Sequence, residues 1–295
     1  MINFRYHVVS IIGIFMALAV GVVLGAGPLQ RTINTGMNRS SSAAASDPQL
    51  SAQAEAEAAG LKALASSSLT GSLTGIQVAL VVLPGASDDD VAAVRSTLTD
   101  AGASVVGRVT LTDNWQSTSM SQYRATLSTS LASHLESAAA KTASADGVVG
   151  YSIVQVLTSS GSETDLLRQI LTDKSTPLMT IDEDPAGKAT TLVAIGARAQ
   201  SAATASSAPT SPDAWVGMAQ AVGSTSGVVV GDASSRDAMI SRIRIRSAGT
   251  AVTTVDSVGT TLATVDTALA LSTKATGARA YGVGSGAQSV IPSNK

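Results

Sequence analysis

The residues with chemistry to offer in this chain are few, and most of them stand apart. Histidine occurs twice, at His7 and His134, in segments far from each other. A Ser–His–Asp triad would have to use His134, which falls in a stretch that reads as a helix surface. Carboxylates cluster at Asp88-Asp89-Asp90 and at Asp182-Glu183-Asp184. The first cluster follows Ser87 at the start of a helical pattern, where carboxylates match the helix dipole without any ligand. The second follows a strand-like run, a position where open α/β sheets place sites for divalent ions. A solvated loop before Pro185 explains it more simply. Gly231-Asp232-Ala233-Ser234-Ser235 reads as a strand-to-helix junction able to receive an anion, although it lacks the lysine and spacing of a P-loop. Gly282-Val283-Gly284-Ser285-Gly286 is half of a dinucleotide fingerprint with no helix after it, so it reads as a flexible loop. Arg242, Arg244 and Arg246 alternate along one stretch, as a charged helix face or a partner surface.

Cysteine is absent, which removes disulfides, thiolate metal sites and cysteine nucleophiles. The seven methionines (Met1, Met16, Met37, Met120, Met179, Met218 and Met239) form no close run. Soft-metal chemistry needs such ligands gathered together. The net charge of -2 gives no basic surface for nucleic acid. No catalytic residue, cofactor site or metal site is therefore assigned, and an enzyme ranks last among the functions considered.

The elements that position these residues begin with an anchor. Between His7 and Arg31 no residue is charged, and 8–28 is long enough to cross a bilayer as a helix ended by Pro28. A cleaved signal peptide is the competing reading. The length of the apolar run and the large Leu24 at the would-be cleavage site disfavour it. The short flank 1–7 predicts a cytoplasmic N-terminus and an extracytoplasmic remainder, held in a bacterial inner membrane. Gly13, Ala17, Gly21 and Gly25 recur every four residues, a ladder of small side chains suited to close helix–helix packing.

Residues 29–75 read as a stalk. Asp47-Pro48 starts a helix to about Ser68 on which Leu50, Ala54, Leu61 and Leu64 make a thin heptad-like stripe, interrupted by Glu57. A short coiled coil that meets a partner and a solvated alanine-rich helix fit it equally.

From residue 76 to 295 strand and helix patterns alternate. Ile76 to Leu83, Ser104 to Leu111, Pro177 to Asp182, Thr191 to Ala197, Gly227 to Asp232 and Val252 to Val258 read as strands. Helices are predicted after Ser87 and over Gln122 to Glu136, Ser162 to Asp173, Ser235 to Arg246 and Thr260 to Ser272. Gly147 to Leu157 fits helix or strand, and Ala199 to Asp213 reads as a loop. The fold expected is α/β, a three-layer domain with a mainly parallel sheet. Its core relies on small and aliphatic residues, since aromatics are only 3% of the chain.

Four segments carry a resemblance: FRYHVVSIIGIFMALAVGVVLGAG at the N-terminus, LPGASDDDVAAVRSTLTDAGASVVGRVTLT in the first βαβ unit, VTTVDSVGTTLATVDTALAL, and AYGVGSGAQSV. Together they resemble the actinobacterial MctB-type "copper transporter" family, and the short stalk makes the corynebacterial division branch, SteB, the most similar within it. The resemblance implies two functions. One is copper homeostasis or export. The other is cell division with a SteA-like membrane protein, acting on peptidoglycan through a RipA-type hydrolase at the septum. A homo-oligomer is the further partner considered. The missing copper ligands favour the division function, in a non-catalytic scaffold.

Overall fold

The computed structural model describes residues 48–199, 209–246, 252–273 and 279–292. The expected membrane helix 8–28, with Gly13, Ala17, Gly21 and Gly25, lies outside them. Among the described residues no helix is long and apolar enough to cross a membrane. The chain divides into two compact units, Met1–Ala54 and Glu55–Lys295, and the second contains the entire sheet described below.

Helix α1 (Pro48–Leu69) comes first, with proline at its first position, where no backbone donor is missed. Strand β1 (Gln77–Val82) follows and is buried from Val78 onward. Its odd and even residues serve two different cores: Ala79 and Val81 face one, Val78, Leu80 and Val82 the other. That is what a strand covered by helices on both sides requires, and it explains the unbroken apolar run.

The chain continues through α2 (Asp88–Asp100), β2 (Ser104–Leu111), the single turn α3 (Asp113–Gln116), α4 (Ser121–His134), the single turn α5 (Ala138–Lys141), α6 (Ala145–Thr158) and α7 (Ser162–Leu171). Then come β3 (Met179–Glu183), β4 (Thr191–Ile195), α8 (Pro212–Gly223), β5 (Val228–Val230), α9 (Met239–Arg246), β6 (Thr253–Val255), α10 (Thr261–Ser272) and β7 (Arg279–Tyr281).

The seven strands lie in the order β3-β2-β1-β4-β5-β6-β7. All neighbours are parallel except β3, which runs antiparallel to β2 at the edge. On one face lie α4, α6, α7, α8 and α9, through Leu131, Ile153, Leu167, Met218 and Ile240. On the other lie the last turns of α1, with Ala65 and Leu69, together with α2 and α10. The arrangement is the three-layer α/β domain expected.

The ambiguous segment 147–157 is helical. In α6 every residue from Gly147 to Leu157 except Tyr151 is buried, so no polar face marks its period. Gly150 lets α6 approach α8: a Cβ there would come within 2.8 Å of the Gly217 carbonyl oxygen. Four elements went unread in the sequence: the single turns α3 and α5, and α8 and β7. The predicted helix from Ser235 begins only at Met239.

Candidate functional site

The strand order reverses between β1 and β4. From that point the chain winds outward in both directions, leaving a crevice at the carboxyl ends of these two strands. The turn out of β1 uses Gly85 at φ +80°, and Ser87 then caps α2, its hydroxyl accepting from the Asp89 amide at 3.2 Å. The three carboxylates behind this cap part ways. Asp88 pairs with Arg108 at 2.9 Å. Asp89 is exposed, while Asp90 turns inward and is 3% exposed. Arg198, three residues beyond β4, grips Asp90 with Nε to Oδ2 at 2.7 Å and Nη2 to Oδ1 at 2.6 Å. Such a two-pronged bond is the strongest geometry open to this pair, and it raises the Arg198 pKa further. Arg198 remains half exposed, at the rim of a cavity of about 230 Å³. Ala65 and Leu69 of α1, Val94 of α2 and Ala263 of α10 line it below.

A second cluster lies further along the same crest, at the end of β6. Asp256 is 1% exposed and both its oxygens are saturated. One accepts from the Val283 amide (2.9 Å) and the Ser257 hydroxyl (2.6 Å). The other accepts from the Gly284 amide (2.9 Å) and Arg244 Nη1 (2.9 Å). Burial alone pushes this carboxyl upward. The Ser257 hydroxyl, the two amides and Arg244 outweigh it and hold the pKa below the ordinary value. Arg244 is buried too, and burial lowers its pKa although Asp256 opposes the change. Its other donors reach the Thr254 hydroxyl and the carbonyls of Tyr281 and Ser285. The glycine-rich segment is thus a cradle for one carboxylate. Gly282, at φ +120°, passes so close that a Cβ would lie 2.1 Å from Asp256 Oδ1.

The alternating arginines therefore do not share a face. Residues two apart on a helix are separated by about 200°, so Arg244 points inward. Arg242 and Arg246 pair outward with Asp237 and Asp213. The junction after β5 is not a helix N-terminus, since α9 starts only at Met239. The Asp232 carboxylate folds back on Ser234, accepting from its amide at 2.8 Å. The carboxylates 182–184 are each engaged: Asp182 by the Thr110 hydroxyl (2.6 Å), Glu183 by Arg95, and Asp184 by Arg168 and the Ala186 amide. The Arg168 bond and that amide hold Asp184 below the usual carboxylate range. His134 ends α4 and bonds Glu163 at 2.6 Å. Among the described residues no three His, Cys, Asp or Glu side chains gather as a metal-binding group. Met179 and Met218 are buried in the core.

Of the stalk stripe, Leu50 and Leu64 are 67% and 70% exposed, and Ala54 is exposed as well. Leu61 is partly buried against the core shared by α2 and α10. Sequence reasoning missed Arg198, missed the fully buried Arg124 that bonds Asp146 at 2.6 Å, and missed a buried carboxyl. Asp266, within α10, is fully buried and neither of its oxygens has a hydrogen-bond partner among the described residues. Burial pushes its pKa up to about 7, with the charge of Asp256 adding to the effect. The only sequence signal was a lone carboxylate inside an apolar run.

A family model described as "Copper transport outer membrane protein, MctB" matches residues 1–292. The proteins named "Copper transporter MctB" of Mycobacterium tuberculosis and Mycobacterium bovis are each 32% identical over 123 residues. That stretch is 39% of this chain and 39% of each relative, so well under half of those relatives is aligned.

Proposed function

This chain belongs to the MctB family, and from that premise we propose that it is a non-catalytic protein of the cell envelope that works by holding a partner. The observation that carries this reading is the state of the carboxyl-end crest. In a doubly wound sheet that edge presents the reactive groups. Here its two buried carboxylates are neutralised by arginines, Asp90 by Arg198 and Asp256 by Arg244. A general base needs a free lone pair directed at a substrate, and Asp256 has none left.

In this reading residues 8–28 anchor the chain in the plasma membrane, with the α/β domain outside the cytoplasm. Gly13, Ala17, Gly21 and Gly25 form a packing face for another helix, and α1 offers Leu50, Ala54 and Leu64 to a partner. The short stalk, which suggests the division branch of the family, supports a SteA-like membrane protein as that partner. Control of a RipA-type peptidoglycan hydrolase at the septum is then the task. Two proteins tethered to one membrane meet at raised effective concentration, so a thin helical contact suffices.

The test is affinity capture of the full-length protein from solubilised envelope, together with deletion of its gene. A division protein as the dominant partner and a septation defect are expected. Copper sensitivity with normal septation would reverse the proposal. That outcome is the second reading, copper homeostasis, which the family description and the names of the mycobacterial relatives favour.

A further inference from the structure

Asp266 occupies the middle of α10 with 0% exposure, and among the described residues neither carboxylate oxygen has a partner. An ionised carboxylate in that condition has lost its water and gained nothing. Among the described residues no cation is paired with it. From β6 comes Asp256, itself negative and already held by Arg244. From β5 come only Val228, Val229 and Val230. From α2, Asp90 is held by Arg198, while Asp89 and Asp100 line the neighbouring cavity together with Lys62 of α1. On β7, Arg279 donates to the Tyr281 hydroxyl at 3.3 Å. The helix therefore sits more firmly in its seat while Asp266 carries a proton.

We propose that Asp266 is a proton-operated latch: α10 is locked against the sheet when this carboxyl is neutral and loosens when it ionises. The consequence reaches beyond α10. Its first turns, through Ala263 and Val265, wall the cavity that Ala65 and Leu69 of α1 close from the other side. Loosening α10 weakens the seat of the last turns of α1. The pH of the medium thereby sets how firmly that end of α1 is held.

The direction follows from linkage. A carboxyl whose folded pKa is about 7 keeps its proton in the folded state where the unfolded chain, with an ordinary value of 3.8, has lost it. Stability contributed by this group falls as pH rises from about 4 to about 7, and stays low above that.

Hydrogen exchange of the full-length protein in detergent, corrected for intrinsic rates and compared at about pH 5.5 and about pH 8.5, reads the latch directly. Protection across Thr261–Ser272 is expected to fall about tenfold or more at the higher pH. In Asp266→Asn the difference between the two pH values should vanish. Equal α10 protection at both pH values, or an unchanged difference in the variant, overturns the proposal. Should that variant not fold, NMR titration of the wild-type Asp266 carboxyl decides: a midpoint near 7 supports the latch, and an ordinary midpoint near 4 contradicts it.

Discussion

Arg198 clasps Asp90 through two parallel hydrogen bonds of 2.7 and 2.6 Å, joining the helix after β1 to the loop after β4 at the point where strand order reverses. An ion pair spans the crevice that this fold commonly offers to a ligand. The partners differ in exposure, Asp90 at 3% and Arg198 at 53%, so removing the arginine leaves a buried carboxylate without its counter-ion.

Arg198→Ala should therefore destabilise the domain by about 2–3 kcal/mol, less than for a wholly buried pair because half of Arg198 already sees water. Asp90→Asn with Arg198→Ala should cost less than the two single changes added together. Chemical denaturation of the four proteins checks both statements. Additive losses would mean that the pair does not act as a unit.

Gly282→Ala should cost about 2–4 kcal/mol, since the new methyl collides with Asp256 Oδ1 and φ is +120°. The cradle also has an acid limb. Asp256 has a folded pKa held below its ordinary value, so its stabilisation is complete above about pH 4 and disappears as pH falls through the folded value. Thermal melts between neutral and about pH 2.5 should show this loss in the wild type and a shallower one in Asp256→Asn. Parallel profiles would remove Asp256 from the account.

Much of this architecture is legible in the residues. β1, β4 and β5 are unbroken aliphatic runs because helices cover both faces of the sheet. Ser87 with three carboxylates announces the start of α2. What hides is whatever depends on distant partners. Nothing near Asp90 reveals that it turns inward, because Arg198 lies 108 residues away. The glycine-rich segment reads as flexible until Asp256, 27 residues earlier, fills it. β7 has only three residues and no apolar run, and α6 is buried on every side, so neither displays a period.

Copper offers a sharp discrimination between the two readings of the family. His134 is engaged with Glu163, two described methionines are buried in the core, and cysteine is missing. Purified full-length protein should bind Cu(I) and Cu(II) no more tightly than an ordinary protein surface. Calorimetry against a competing chelator checks this. Stoichiometric binding tighter than about micromolar would restore the transport reading.

The central claim, partner binding through α1, is tested most directly at Leu50 and Leu64. They are exposed at 67% and 70%. Leu61 is less suitable, because it packs on the domain itself. The double change Leu50→Ser and Leu64→Ser should leave the melting temperature within about 2 °C of wild type, as expected for exposed positions. The measurement is the amount of partner recovered with the variant by affinity capture from envelope membranes, at equal expression. The account predicts a loss of about tenfold or more, corresponding to about 1.4 kcal/mol, accompanied by defective septation. Undiminished recovery with normal division would contradict it.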